Sequence, residues 1–216
     1  EHFSKIESER VTYLFRRHIQ ELDMVVRELW QELSEAAFAP AGFEVGFGDG
    51  EGLPPIPIPN GGMNAVLRGF IDRVDTWDNG ASRYYRVVDY KTGKKDFDYC
   101  DVFNGVGLQM LLYMFALKSS GSDMLGDRSV AAGVQYFPAR APYLTSDGKL
   151  TAEEAEQERI SKWKRKGLLL NDEDVLQAME PGDAPKRMCY SVKKDGTISG
   201  DLADRQQLKL LEGYVF

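Results

Sequence analysis

Cysteine is scarce: only Cys100 and Cys189 occur in 216 residues, far apart and outside any metal-ligand spacing. That excludes a disulfide framework and makes a reducing compartment, the cytoplasm, the expectation. No apolar run approaches the ~20 residues that span a bilayer as a helix. The first residues lack a signal-peptide pattern. Because the first residue is Glu1 and not Met, a piece of a longer protein is expected. An excess of positive charge is also lacking, since 27 Lys and Arg face 34 Asp and Glu for a formal net charge of −7. A free-standing nucleic-acid binder would ordinarily be basic. A catalytic module held on its substrate by other parts need not be.

What is present is core material, with 43% hydrophobic and 11% aromatic residues. This suits one large domain, or one domain with an appendage. Val11, Phe15, His18, Leu22, Val25, Leu29 and Leu33 recur in steps of four and three, which predicts an amphipathic helix from Ser8 to Ala37. "FAPAG" stops it and "FEVGF" reads as a short strand. "GDGEGLPPIPIPNGG" reads as a loop with a polyproline-like excursion, because its glycines are followed by Pro54 and Pro55 and not by the helix a phosphate loop requires. "NAVLRGFIDRVDTW" and "SRYYRVVDYKTG" are two strands of a hairpin turned at Asn79-Gly80.

Beyond the hairpin, Asp101 is placed to cap a helix whose apolar face is Leu108, Leu111, Leu112, Phe115 and Ala116. "SVAAGVQYFP" is a further strand, "TAEEAEQERISKWKRKG" a charged helix ending at Gly167, and "DEDVLQAM" a short helix. "RMCYSV" is a strand and "ADRQQLKLLEGYVF" a last helix. The order predicts an α/β domain with a mixed sheet flanked by helices.

The chemistry concentrates in "RVVDYKTGKK". Asp89 and Lys91 share one face of the end of a buried strand, and the hairpin can bring Asp72 of "GFIDRVD" beside Asp89. Two carboxylates and a backbone carbonyl suit Mg²⁺. An adjacent lysine would position water and neutralise charge developing on a phosphate. By spacing alone, a surface Asp–Lys pair is the plainer account. The buried strand, the second acid one hairpin earlier, and Gly69 and Gly93 with their close backbone approach favour a site.

"GFIDRVD", "VVDYKTG" and "LQMLLY" together resemble the RecB-like branch of the PD-(D/E)XK nucleases. With "FAPAGFEVGF", the proline loop, "AAGVQYF" and "RKGLLLNDEDVLQAM", the resemblance covers nearly the whole chain and extends to the nuclease domain of B-type subunits of bacterial helicase–nuclease complexes. It implies a restriction-endonuclease-like fold, with a helical lead-in over residues 1–40 and a nuclease core over 41–216 that stops before the family's C-terminal cysteine cluster. The implied activity is a Mg²⁺-dependent deoxyribonuclease, with Mn²⁺ as an alternative ion. It would degrade single strands, the 5′-ended one in the family, that an AddA-like A-type subunit feeds during double-strand-break repair. The competing expectation is a catalytically silent nuclease fold that binds DNA or scaffolds its partner.

By the resemblance, Asp72 and Asp89 are the metal-binding acids, the Tyr90 carbonyl is a further ligand, and Lys91 is the catalytic lysine. Gln109 and Tyr113 match the family's Q-x-x-x-Y pair, four apart on one helix face. They either touch DNA or support the lysine, or they form a half-buried face with Tyr113 in the core. Lys94 and Lys95 are expected to contact DNA. The family's ligand histidine is expected upstream, which leaves His18 as a packing residue. The family's iron–sulfur cluster takes one cysteine upstream and three downstream, so none is expected in this chain. Asp75 is expected to pair with Arg73. "KWKRK", Lys162 to Lys166, could touch phosphates, but as the last helical turn before Gly167 it is expected to complement the helix dipole.

Overall fold

A computed structural model describes residues 9–48, 50–60, 63–144 and 148–216. The elements are α1 (Glu9–Glu35), β1 (Ala39–Phe47), β2 (Ile56–Asn60), β3 (Met63–Leu67), β4 (Gly69–Asp78) and β5 (Arg83–Lys91). There follow α2 (Tyr99–Phe103), α3 (Gln109–Ser120), α4 (Ser122–Leu125), β6 (Ser129–Pro138), α5 (Ala152–Lys162), β7 (Lys166–Leu170) and α6 (Glu173–Met179). The chain ends with β8 (Tyr190–Val192), β9 (Ile198–Gly200), β10 (Leu202–Ala203) and α7 (Arg205–Val215). Six strands form a mixed sheet in the order β1-β4-β5-β6-β7-β10. The β5–β6 and β7–β10 pairs are parallel and the others antiparallel. Helices flank this sheet, as the sequence predicts. Among the described residues no helix is long and apolar enough to cross a membrane.

The hairpin forms where Asn79-Gly80 places it. The Asn79 side chain accepts from the Ala81 and Ser82 N–H groups, and Val74 pairs with Val87. Alternation along β5 then sorts its side chains onto two faces. Tyr85 faces α3, where its hydroxyl donates to the Met114 carbonyl at 2.8 Å, and Val74, Val87, Val134, Leu111 and Met114 build the apolar core. Arg86 faces the other way, toward α1.

That second face is held by charge. Arg73, Asp75 and Arg86 are each 0% exposed, and Asp75 bridges the two arginines at 2.8 Å to each. Glu32 of α1 reaches in to Arg86 at 3.0 Å and Arg165 at 2.6 Å. Glu28 continues the chain of ion pairs to Arg165 and Arg187, each at 3.0 Å. Burial alone would raise the Glu32 carboxyl, but Arg165, Arg86 and Arg73 outweigh it and hold the group at about 2.

Several expectations are corrected here. Glu32 is the buried residue of α1, while Leu22 is 59% and Trp30 75% exposed. Helix α1 therefore docks through ion pairs near its C-terminal end and not along its apolar stripe. "FAPAG" is not a stop but the start of β1, with an irregular register between Pro40 and Gly42 against β4. The boundary expected between residues 40 and 41 thus falls inside a strand. The proline loop contains a paired hairpin, β2–β3, in which Pro57 and Pro59 alternate along the strand. "NAVLRGFIDRVDTW" is divided between β3 and β4, which belong to different sheets. Asp101 does not cap α3, the helix with the expected apolar face, which starts after Leu108 without a side-chain cap; Asp101 lies inside the short α2, capped by Asp98, which accepts from Cys100 N–H.

The helix through "KWKRK" ends at Lys162, and Lys166 and Gly167 already belong to β7. Gly167, at φ 148°, has no room for a side chain: a Cβ would sit 2.0 Å from the Val134 carbonyl oxygen of β6. Its role is close strand contact, not helix termination.

Candidate active site

The ordered β4–β5 pairing runs to Arg73 opposite Val88, and Asp72 and Asp89 lie one residue beyond it. The Asp72 carboxylate accepts the Tyr90 N–H at 2.7 Å, which ties it to the end of β5. In an extended strand a residue's N–H and C=O point to the same neighbour, so the Tyr90 carbonyl opens on the Asp72 side. Asp89 is 6% exposed and its Oδ2 lies 2.6 Å from the Lys91 ammonium, itself on a side chain 35% exposed. Burial pushes the Asp89 carboxyl up; Lys91 and Lys95 pull it down, and the charge of Asp72 adds to the rise. Two carboxylates are thus close enough to feel each other, with one ammonium between them and solvent.

Opposite Asp89 on β6 stands Tyr136, buried, its hydroxyl pushed up to about 12 by burial and by Asp89. Sequence reading missed this residue, because nothing in "VQYF" reveals that its strand pairs in parallel beside β5. Lys95 lies over the Tyr136 ring, 5.9 Å from its centroid. Lys94 is exposed, and with Lys91, Lys95 and Tyr136 it lines a cleft of about 680 Å³.

Gln109 and Tyr113 are together: Gln109 Nε2 donates to the Tyr113 hydroxyl at 3.2 Å. Tyr113 is buried, stacks on Phe47, and packs so tightly on Gly69 that a Cβ there would lie 2.3 Å from its hydroxyl. Tyr113 is thus a core residue bracing the start of the strand that carries Asp72. Gly93, by contrast, has open space around it and no close backbone approach.

His18 is no packing residue: its side chain is 65% exposed and its Nδ1 lies 3.6 Å from Glu21. It is exposed because α1 is anchored further along, at Glu32. Asp75 does pair with Arg73, in the buried network. Cys100 is exposed and Cys189 half-buried, its Sγ 3.6 Å from the Gly167 carbonyl. Among the described residues no three His, Cys, Asp or Glu side chains converge as a metal site. The donor set at the strand ends is two carboxylates and a backbone carbonyl. These hard oxygens suit a small divalent cation that keeps several waters.

Comparison with known proteins gives the chain's family. A family model described as the PD-(D/E)XK nuclease superfamily matches residues 3–188. The chain is 34% identical over 212 residues to a Clostridium acetobutylicum protein named as the B-type subunit of an ATP-dependent helicase/deoxyribonuclease, covering 96% of this chain and 18% of that protein. It is 36% identical over 196 residues to the Bacillus subtilis protein of the same name, covering 88% of this chain and 17% of the relative. An Acetivibrio thermocellus protein so named is 36% identical over 200 residues, covering 89% of this chain and 18% of its own length. The chain thus spans under a fifth of these three relatives.

Proposed function

Because the chain belongs to the PD-(D/E)XK nuclease superfamily, we propose that its cleft hydrolyses phosphodiester bonds of single-stranded DNA with Mg²⁺, or Mn²⁺, held by Asp72, Asp89 and the Tyr90 carbonyl. One observation carries the reading: at the end of two central strands Asp72 is tied to the Tyr90 N–H at 2.7 Å, and Asp89, the residue before Tyr90, has the Lys91 ammonium 2.6 Å away. The sheet from β1 onward serves as the nuclease core and helix α1 before it as its lead-in. In the parent protein the domain acts as the exonuclease of a cytoplasmic helicase–nuclease complex in double-strand-break repair, with an AddA-like subunit delivering the strand.

Each residue has a part. Asp72 and Asp89 provide hard oxygen ligands, and a cation at Asp89 offsets the burial that now favours its protonated form. The bound ion supplies Lewis-acid polarisation of a phosphate oxygen and a lowered pKa for its water. Lys91 orients the attacking water and neutralises charge as it grows on the phosphate. Lys94 and Lys95 hold flanking phosphates. Tyr113, with Gln109 on its hydroxyl, braces the strand under Asp72.

A ligand set with two carboxylates leans on substrate phosphate to complete its shell, so Mg²⁺ binding by the free domain is weak. The net charge of −7 also opposes DNA at low salt. The test is single-turnover cleavage of end-labelled single-stranded DNA across a Mg²⁺ titration. The domain should cleave slowly, saturate only at millimolar Mg²⁺ and improve with Mn²⁺. Asp89→Ala and Lys91→Ala should each lose about a hundredfold or more while staying folded. No cleavage by the unaltered domain with either ion, or unaltered rates in both variants, would refute hydrolysis at this site.

A further inference from the structure

The cleft adjoins the carboxylates through Lys91 and Tyr136 and is not lined by Asp72 or Asp89, and its lining contradicts the charge of the chain. Lys91, Lys94 and Lys95 share it with Arg140, Lys162, Lys164 and Lys166, seven cations against one carboxylate, Asp96. The "KWKRK" stretch explains how this arises. Beyond the end of α5, Trp163 and Arg165 turn inward, 4% and 1% exposed, before β7 begins at Lys166. Trp163 donates to the Pro138 carbonyl at 3.0 Å and Arg165 joins the Glu32 network. Lys164 and Lys166 are thereby set into the cleft. They alternate with the buried Trp163 and Arg165, and at strand spacing residues two apart repeat at ~7 Å, close to the phosphate step of an outstretched nucleic-acid strand. Inward anchoring by Trp163 and Arg165 makes the lysine row a built feature and not a solvated helix end.

We propose that this basic groove is the track for a single-stranded DNA backbone, running from Lys91 past Lys94 and Lys95 to Arg140, Lys164 and Lys166. The inference rests on the nuclease reading and adds the residues that hold the strand. A single strand is favoured over a duplex because Asp89, 2.6 Å behind the Lys91 ammonium that lines the cleft, is itself only 6% exposed. A phosphate must leave the surface to reach it, which a flexible strand permits and a paired backbone does not. Partners within the groove moderate but do not cancel its charge. Lys166 lies 3.3 Å from Asp96, and Arg140 donates to the Tyr143 hydroxyl at 2.7 Å. Lys162 is engaged by Glu158 at 2.7 Å and by the Tyr143 carbonyl at 3.0 Å. Neutralised phosphates release counterions, so binding by this track is sequence-tolerant and falls steeply with salt.

The experiment is fluorescence anisotropy of a labelled oligo-dT with the 216-residue chain in EDTA, over a salt series, with cleavage measured separately in Mg²⁺. The triple variant Arg140→Ala/Lys164→Ala/Lys166→Ala should bind at least tenfold more weakly, with a log–log salt slope shallower by about 2, three phosphates at ~0.7 each. Lys193→Ala/Lys194→Ala, on the β8–β9 hairpin away from the cleft, should match the unaltered chain. Oligo-dA should bind within a few-fold of oligo-dT, and a blunt duplex more weakly. If the triple variant, shown folded by circular dichroism, keeps its affinity and salt slope, the track is refuted even where cleavage is normal. A chain that binds no single strand, or prefers duplex, refutes it equally. If binding falls in the triple variant but no chain cleaves, the track stands and the hydrolysis reading falls.

Discussion

Arg73 and Asp72 are neighbours on β4, and Tyr90 and Asp89 are neighbours on β5, yet each pair divides between two environments. Arg73 turns to the α1 side, where Asp75, Glu32 and the Tyr90 hydroxyl surround it without access to water. Asp72 and Asp89 turn to the other face, where the burial of Asp89 is only partly offset by Lys91 and the charge of Asp72 adds to the rise. Behind the sheet, opposite charges are matched and the Glu32 carboxyl is held at about 2. At its open end the Asp89 carboxyl is pushed the other way. The same pair of strands therefore carries charges that hold the fold and charges left wanting a ligand. The second kind is what the proposed cation would offset.

The largest effect that would break this contrast lies in the network. Glu32→Ala leaves Arg73, Arg86 and Arg165 buried without their shared partner, and truncating one member of such a set costs about 3–5 kcal/mol. Urea denaturation should show the loss, and an unchanged midpoint would mean the ion pairs do not anchor α1. Acid should reproduce part of it. Above pH 4.5 Glu32 is ionised in folded and unfolded chains alike and its contribution is complete. As pH falls below 4.5 the unfolded chain takes up the proton first, and the contribution drains away until about pH 2. That window is worth roughly 3 kcal/mol. It should be missing in Glu32→Gln when stability is followed against pH.

A smaller effect sharpens the other side. Gly69→Ala drives a methyl into the Tyr113 hydroxyl, and overpacking of this kind costs about 1–3 kcal/mol. Because the displaced tyrosine braces the strand leading to Asp72, cleavage should fall with stability. Retained stability and rate together would show that the helix yields freely. The smallest effect is expected at His18→Ala, within about 0.5 kcal/mol as for other surface changes and with no change in Mg²⁺ dependence. A shifted Mg²⁺ requirement would bring His18 back as a ligand.

Much of the working face was legible in the sequence because it is local. Asp89 and Lys91 are two apart on a strand, and Asp72 is one hairpin turn away, at a turn that Asn79-Gly80 announces. The holding face was not legible. Glu32 meets Arg165 across 133 positions, and no periodicity links them. Its helix misled for a physical reason: amphipathic spacing shows which face is apolar but not what covers it, and here Leu22 and Trp30 stay exposed. In "KWKRK" the lysines and arginine suggested a helix end. The informative signal was the alternation of Lys with Trp163 and Arg165, a period of two that belongs to extended chain. The proline stretch concealed a strand similarly, since Pro57 and Pro59 recur at that same period.

The separation of holding from working charges is tested most directly by urea midpoints of Asp89→Asn and Glu32→Gln measured beside the unaltered chain in metal-free buffer. The two substitutions remove the same charge from opposite faces of one sheet. Asp89→Asn should leave the midpoint unchanged or higher, because it removes a carboxylate whose ionisation burial and Asp72 oppose. Glu32→Gln should lower it. A fall in Asp89→Asn as large as that in Glu32→Gln would contradict the account, since Asp89 would then be one more structural ion pair and not a ligand kept waiting.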